Sequence, residues 1–152
     1  MKAWAKKQKG FTIVELLVVI VVIGILASIS VVSYNGIQQR ARDSARDSAV
    51  RSLKLALEVY KSDFGKYPAP TLNPNGGYLI TILTSSLVPT YISKIPDDPD
   101  TTKHLNYVVS TAYDGYGILV SYESRAKCKY LVGTGATTGW WNDSTTTVPV
   151  CP

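Results

Sequence analysis

From Leu16 to Gln39 the chain carries no charged side chain, and most of the run is Val, Ile, Leu or Ala. About 20 apolar residues suffice to cross a bilayer as a helix, so the run reads as a membrane span by length alone. One carboxylate, Glu15, stands at its mouth in "KGFTIVELLVVIVVIGILAS". An acid on a spanning helix costs on the order of 3 kcal/mol at the bilayer centre and less near an end, so a carboxylate kept there marks a functional site that needs a partner.

The net charge of +5 points at first to nucleic acid or anionic lipid, but its distribution says otherwise. Lys2, Lys6, Lys7 and Lys9 lie within the first ten positions, leaving twelve basic residues against eleven acids in the remainder. The basic signal belongs to a leader, where it sets a positive-inside topology. A cleaved secretory signal fits less well, because the apolar run is too long and only Ala27, Ser28 and Ser30 approach a small-residue cleavage site. The N-terminus is therefore expected in the cytoplasm and the rest outside. Two cysteines, Cys128 and Cys151, fall in the external part. In an oxidising compartment they make one disulfide, worth roughly 3 kcal/mol on the chain-entropy model. His104 is the single histidine and no Cys-x-x-Cys spacing occurs, so zinc is excluded as a structural centre.

Beyond the apolar run, Ile37, Ala41, Ala45, Ala49, Leu53, Leu57, Tyr60 and Phe64 recur at steps of three or four. That is the amphipathic-helix period, with the arginines and aspartates of "RARDSARDSAVRS" assigned to the other faces. With no proline before Pro68, one helix is expected from about Thr12 to Asp63, about 75 Å long. Gly65 and Pro68 supply its stop. "PAPTLNPNGG" is loop; after it Leu79, Ile82, Leu83 and Leu87 predict a short helix, against a strand that the β-branched content of the stretch would also fit. "LNYVVST" and "YGILVSYE" flank "AYDG" as a hairpin, "AKCKYLV" is a third strand, and the tail "WWNDSTTTVPVCP" is irregular. The fold class is α+β, with a long N-terminal helix, transmembrane in one half and amphipathic in the other, covering one face of a small antiparallel sheet.

No catalytic constellation emerges. No serine has a G-x-S-x-G context, Cys128 has no evident base, and "GTG" at 133–135 lacks the lysine and helix of a phosphate loop. His104 reads as a surface histidine. Asp97, Asp98 and Asp100 place three carboxylates in one short loop, a candidate calcium set weighed against a solvated turn. Arg125, Lys127 and Lys129 would share one strand face near Trp140 and Trp141, a candidate basic and aromatic patch for DNA weighed against an ordinary solvent face.

Lys9-Gly10-Phe11-Thr12-Ile13-Val14-Glu15, followed by the apolar run with Gly24 and Tyr34, resembles the class III signal of type IV pilins and their pseudopilin relatives. "KYP" at 66–68 and "KIPDDP" at 94–99 resemble the region after the long helix in major pseudopilins, where an acidic loop binds calcium. The resemblance implies a pilin-like fold with three parts: a leader at 1–10, a transmembrane and filament-core helix at 11–35, and a globular domain at 36–152 that includes the amphipathic half of the helix. It implies cleavage between Gly10 and Phe11 by a prepilin peptidase, N-methylation of Phe11, and assembly through Glu15 and Thr12. Many members carry proline where this chain has Val32, so Gly24, Ser28, Ser30 and Ser33 are the remaining weak points of the helix.

Cleavage would supply the partner of Glu15. The new α-amine has a pKa near 8, and a neighbouring subunit's amine can reach the carboxylate in a staggered helical array. An unpaired buried charge costs several kcal/mol, and a well-placed pair recovers much of it. The expected function is therefore a structural subunit of a type IV pilus-like filament for adhesion, twitching motility or DNA uptake. The near alternative is a pseudopilin of a type II secretion or competence system. A different class is a signal-anchored surface binding protein that never polymerises. Expected partners are other copies of the chain, the prepilin peptidase, a membrane assembly platform and the bilayer, with DNA as a weaker candidate. No cofactor is expected apart from the candidate calcium, and no enzymatic activity.

Overall fold

The computed structural model describes residues 10–69, 74–142 and 146–152, with the side chains of 31–33 outside the description. The leader, apart from Gly10, and the side chains of Val32 and Ser33 thus lie outside the described residues. Internal packing divides the chain into two units, Met1–Gln38 and Gln39–Pro152. One helix, α1 at Ile13–Phe64, contributes to both and has 52 residues, within a residue of the expected bounds at each end.

In the first unit every described apolar side chain of α1 is exposed, as lipid or a neighbouring helix would require. The helix passes through Gly24 without a break. Ser28 Oγ donates to Gly24 O at 2.8 Å and Ser30 Oγ to Leu26 O at 2.8 Å, which satisfies both hydroxyls on the helix's own backbone.

In the second unit α1 buries Ala49, Val50, Leu53, Ala56 and Leu57. The first turns of the expected stripe do not follow: Ile37, Ala41 and Ala45 are exposed, and Asp43 and Arg46 are buried in their place. The reason is geometric. At 3.6 residues per turn, positions 46 and 43 lie in phase with 50, 53 and 57.

The sheet contains β1 (Tyr78–Leu79), β2 (Asn106–Val109), β3 (Gly115–Val120) and β4 (Cys128–Gly133), antiparallel and in sequence order. Between β1 and β2 the expected short helix is a 3-10 turn at Ile80–Leu83 that runs into α2 at Thr84–Leu87. The strand alternative for this stretch holds only at its first two residues, β1, which are too few to show a period. The hairpin between β2 and β3 forms as expected, but the left-handed residue is Tyr113 at φ 58°, ahead of Asp114-Gly115. Ser110 Oγ holds the turn by donating to Asp114 Oδ1 at 2.7 Å and accepting the N–H groups of Asp114 and Gly115.

Both faces of the sheet are covered. Tyr107, Val109, Tyr116, Ile118 and Val120 join the helix residues with Ile80, Leu83 and Leu87 in one core. Against the other face lie Trp140 and Trp141, where a Cβ on Gly117 would come within 2.9 Å of both indole rings. The tail expected to be merely irregular is thus the second cover, because the glycine leaves a slot that only an aromatic ring fills. Cys128 and Cys151 form the expected disulfide, and Lys129 N–H and C=O bond the backbone of Pro149 and Cys151 at 2.9 and 3.0 Å.

Leu53→Ala should cost about 2–5 kcal/mol, since Leu53 is completely buried. Leu55→Ala, at a position 70% exposed, should stay within about 0.5 kcal/mol. Denaturant unfolding of the unassembled chain checks the contrast, and equal effects would contradict the assigned helix phase.

Candidate functional site

At the start of α1, Thr12 and Glu15 close on each other. The Thr12 backbone N–H and its hydroxyl both donate to Glu15 Oε2 at 2.8 Å, and the Glu15 N–H donates to Thr12 Oγ1 at 3.2 Å. This is a reciprocal capping box, in which a threonine and a glutamate three residues later satisfy each other's backbone donors. The Thr-x-x-Glu spacing of "TIVE" already spells it. The carboxylate expected to lack a partner in its own chain has one in Thr12. Gly10 and Phe11 precede the helix in irregular backbone, and the Phe11 ring is exposed.

The second constellation surrounds Arg46, whose side chain has no exposed surface. Its Nε and Nη2 donate to the two Asp98 oxygens at 2.7 Å each, Nη1 to Asp43 at 2.6 Å, and Nη2 also to Glu123 at 2.9 Å. Arg42 Nε donates to Glu123 at 2.8 Å. Asp43 in turn accepts the N–H groups of Glu123 and Ser124, at 3.0 and 2.9 Å. The arginines and aspartates of the "ARDSARDS" repeat, expected on the faces away from the apolar stripe, instead meet the 95–100 loop and the 122–125 segment. Asp47, from the second copy, accepts from Tyr122 Oη and from Arg125 at 2.8 Å.

The electrostatics follow from these contacts. Burial by itself would raise the Asp43 carboxyl, but hydrogen bonds from Ser124, Glu123 N–H and Arg46 outweigh it and hold the group at about 2. Glu123 sits at about 2, held down first by Arg42 and then by Arg46. The Arg46 guanidinium is stabilised in its charged form, first by Asp98.

The three aspartates of the acidic loop do not converge on a shared point. Asp98 is spent on Arg46. Asp97 accepts from Asp98 N–H and Leu105 N–H through Oδ1 and faces His104 Nδ1 at 2.7 Å through Oδ2. Asp100 accepts from Thr102 through Oδ1, with Lys103 3.6 Å from Oδ2. Among the described residues no group of three or more His, Cys, Asp or Glu side chains is placed to hold a metal. Calcium, which wants six to eight oxygens, does not fit Asp97, Asp98 and Asp100 in this arrangement.

The basic patch also dissolves. Arg125 and Lys127 precede β4, and only Lys129 lies in the strand. Arg125 lies over the Tyr122 ring at 3.7 Å and pairs with Asp47. Lys129 is 1% exposed, and its ammonium donates to Thr138 O, Trp140 O and Asn142 Oδ1 at 2.5, 2.9 and 2.9 Å. Strand alternation was applied to residues outside the strand, and the inner cation ties down the tail that covers the sheet. The combination of three basic side chains for phosphate contact is therefore absent from this face.

Residues 5–31 match the family described as a prokaryotic N-terminal methylation motif. The type II secretion system core protein G of Aeromonas hydrophila is 35% identical over 100 residues, which cover 62% of this chain and 68% of that protein. The protein of the same name from Escherichia coli strain K12 is 36% identical over 104 residues, covering 61% of this chain and 67% of the relative. Fimbrial protein EcpC of Eikenella corrodens is 35% identical over 85 residues, covering 52% of this chain and 56% of its own length. No solved structure matches.

The depressed carboxyls dictate a direction for acid sensitivity. Groups whose folded pKa lies below the unfolded value near 4 contribute stability that is present above that value and lost as pH falls through the folded one. The melting temperature should be level above about pH 5 and drop between about pH 4 and 2 as Asp43 and Glu123 protonate. Asp43→Asn should start lower and lose less across that window. Thermal melts against pH check this, and an unchanged slope in the variant would count against the Asp43 assignment.

Proposed function

Because the chain belongs to the family of the type II secretion system core protein G, we propose that it is a pseudopilin of a secretion system, a filament subunit anchored by the apolar part of α1 until it assembles. The observation that carries this reading is the extent of the likeness. The methylation motif accounts for residues 5–31, whereas the identity to core protein G runs over 100 residues. The shared sequence therefore reaches well past the part common to pilins in general. A pilus subunit is the second reading, favoured by the fimbrial relative from Eikenella corrodens, over a shorter span.

The role is structural. A prepilin peptidase cuts after Gly10 and a methyl group is placed on the Phe11 amine. Within the membrane the Thr12 and Glu15 box keeps the carboxylate hydrogen-bonded before assembly. In the filament the charge of Glu15 faces a neighbour's terminal amine and sets the axial register, since a mis-staggered pair would leave both charges unpaired in apolar surroundings. The exposed apolar side chains of α1 then find their cover in other copies of the helix.

In the native host the mature chain should begin at Phe11 with one added methyl group, and deletion of the gene should abolish protein secretion while leaving surface pili in place. Peptide mass analysis with secretion assays tests this. Loss of pili with secretion intact would favour the pilus reading, and an unprocessed Met1 would leave a surface anchor that does not polymerise.

Glu15→Ala and Glu15→Gln separate two roles of one carboxylate. Glutamine still completes a capping box but carries no charge. Both variants should insert in the membrane and fail to form filaments. Wild-type filament yield from Glu15→Gln would show that the cap, and not the charge, is what assembly uses.

A further inference from the structure

We propose that the Arg46 guanidinium is the resident cation of the acidic loop, so that an internal charge orders the 95–100 segment and the domain binds no calcium there. The geometry assigns the role in three steps. First, Arg46 is buried and uses four hydrogen bonds on three carboxylates from three segments: Asp43 on α1, Asp98 in the loop, and Glu123 after β3. A planar guanidinium suits this task because its fork matches both oxygens of one carboxylate at once, while its remaining donors reach others.

Second, the loop folds around that fork. Asp98 has no exposed side-chain surface, and its Oδ1 also accepts the Asp100 N–H at 2.8 Å. Asp97 ties the loop to the residue before β2 by accepting from Asp98 N–H and Leu105 N–H. Third, a divalent cation would have to take over oxygens already in use. Both Asp98 oxygens lie 2.7 Å from guanidinium nitrogens, so an ion bound to them would sit against a fixed positive charge. Its other candidate ligands, on Asp97 and Asp100, point to His104 and to Thr102 and Lys103. The second "ARDS" of the helix therefore supplies from within what a bound metal would supply from solution.

The test uses the full chain in detergent micelles, stripped with a chelator. The melting temperature of the wild type should move by less than about 1 °C on adding millimolar calcium, because a cation without a site gives no linkage gain. Terbium, a luminescent stand-in for calcium, should show no sensitised emission that calcium displaces. Arg46→Gln should melt lower by more than about 10 °C in chelator, since it strands buried carboxylates. Arg46→Lys should fall in between, keeping the charge and losing the fork. A calcium-dependent rise of several degrees in the wild type, or displaceable terbium emission, overturns the proposal, as does an Arg46→Gln variant that melts with the wild type. If Arg46→Gln does not fold, the wild-type calcium and terbium measurements decide alone.

Discussion

The phase of α1 on the sheet is the constraint from which the rest of the second unit follows. Once Leu53 and Leu57 are seated in the core, a helix of 3.6 residues per turn carries Val50, Arg46 and Asp43 inward behind them. Two of those residues are charged, so the fold must bring partners to them. Asp98 and Glu123 come to Arg46, and the 123–124 backbone comes to Asp43. Burying charge is costly unless every donor and acceptor is met. That cost explains why two loops without secondary structure lie where they do.

The sheet shows the same economy of cover. Four short strands cannot hold a core by themselves, and here each face has its own lid. The helix closes one face with aliphatic side chains. The C-terminal segment closes the other with Trp140 over Gly117, the Lys129 ammonium caged by carbonyl oxygens, and the Cys128–Cys151 bridge. Gly133, at φ 89°, lets β4 turn away where a Cβ would strike Asp114 O at 2.1 Å.

For a filament subunit these arrangements divide the work. On the proposed reading the assembly chemistry belongs to the start of α1, where Thr12 and Glu15 already cap each other. The globular unit buries Asp43, Arg46 and Lys129 and gives each of them partners.

By itself the sequence determined the long helix and its bounds, the hairpin, the disulfide and the N-terminal motif. These are local or compositional: an uncharged run of sufficient length, a stop at Gly65 and Pro68, turn residues between β-branched runs, and two cysteines with only each other. The capping box is equally legible in "TIVE", although the length of the apolar run makes Glu15 look first like a membrane charge and only second like a helix start. Tertiary structure decided the rest. Whether Arg46, Lys129 and Asp98 face water or the interior depends on which side of each element meets another, and charged residues carry no periodic signal that distinguishes the two. A polar side chain in phase with a buried stripe looks, in sequence, like one that has simply turned away; only the partner brought to it across more than fifty residues of chain shows that it has not.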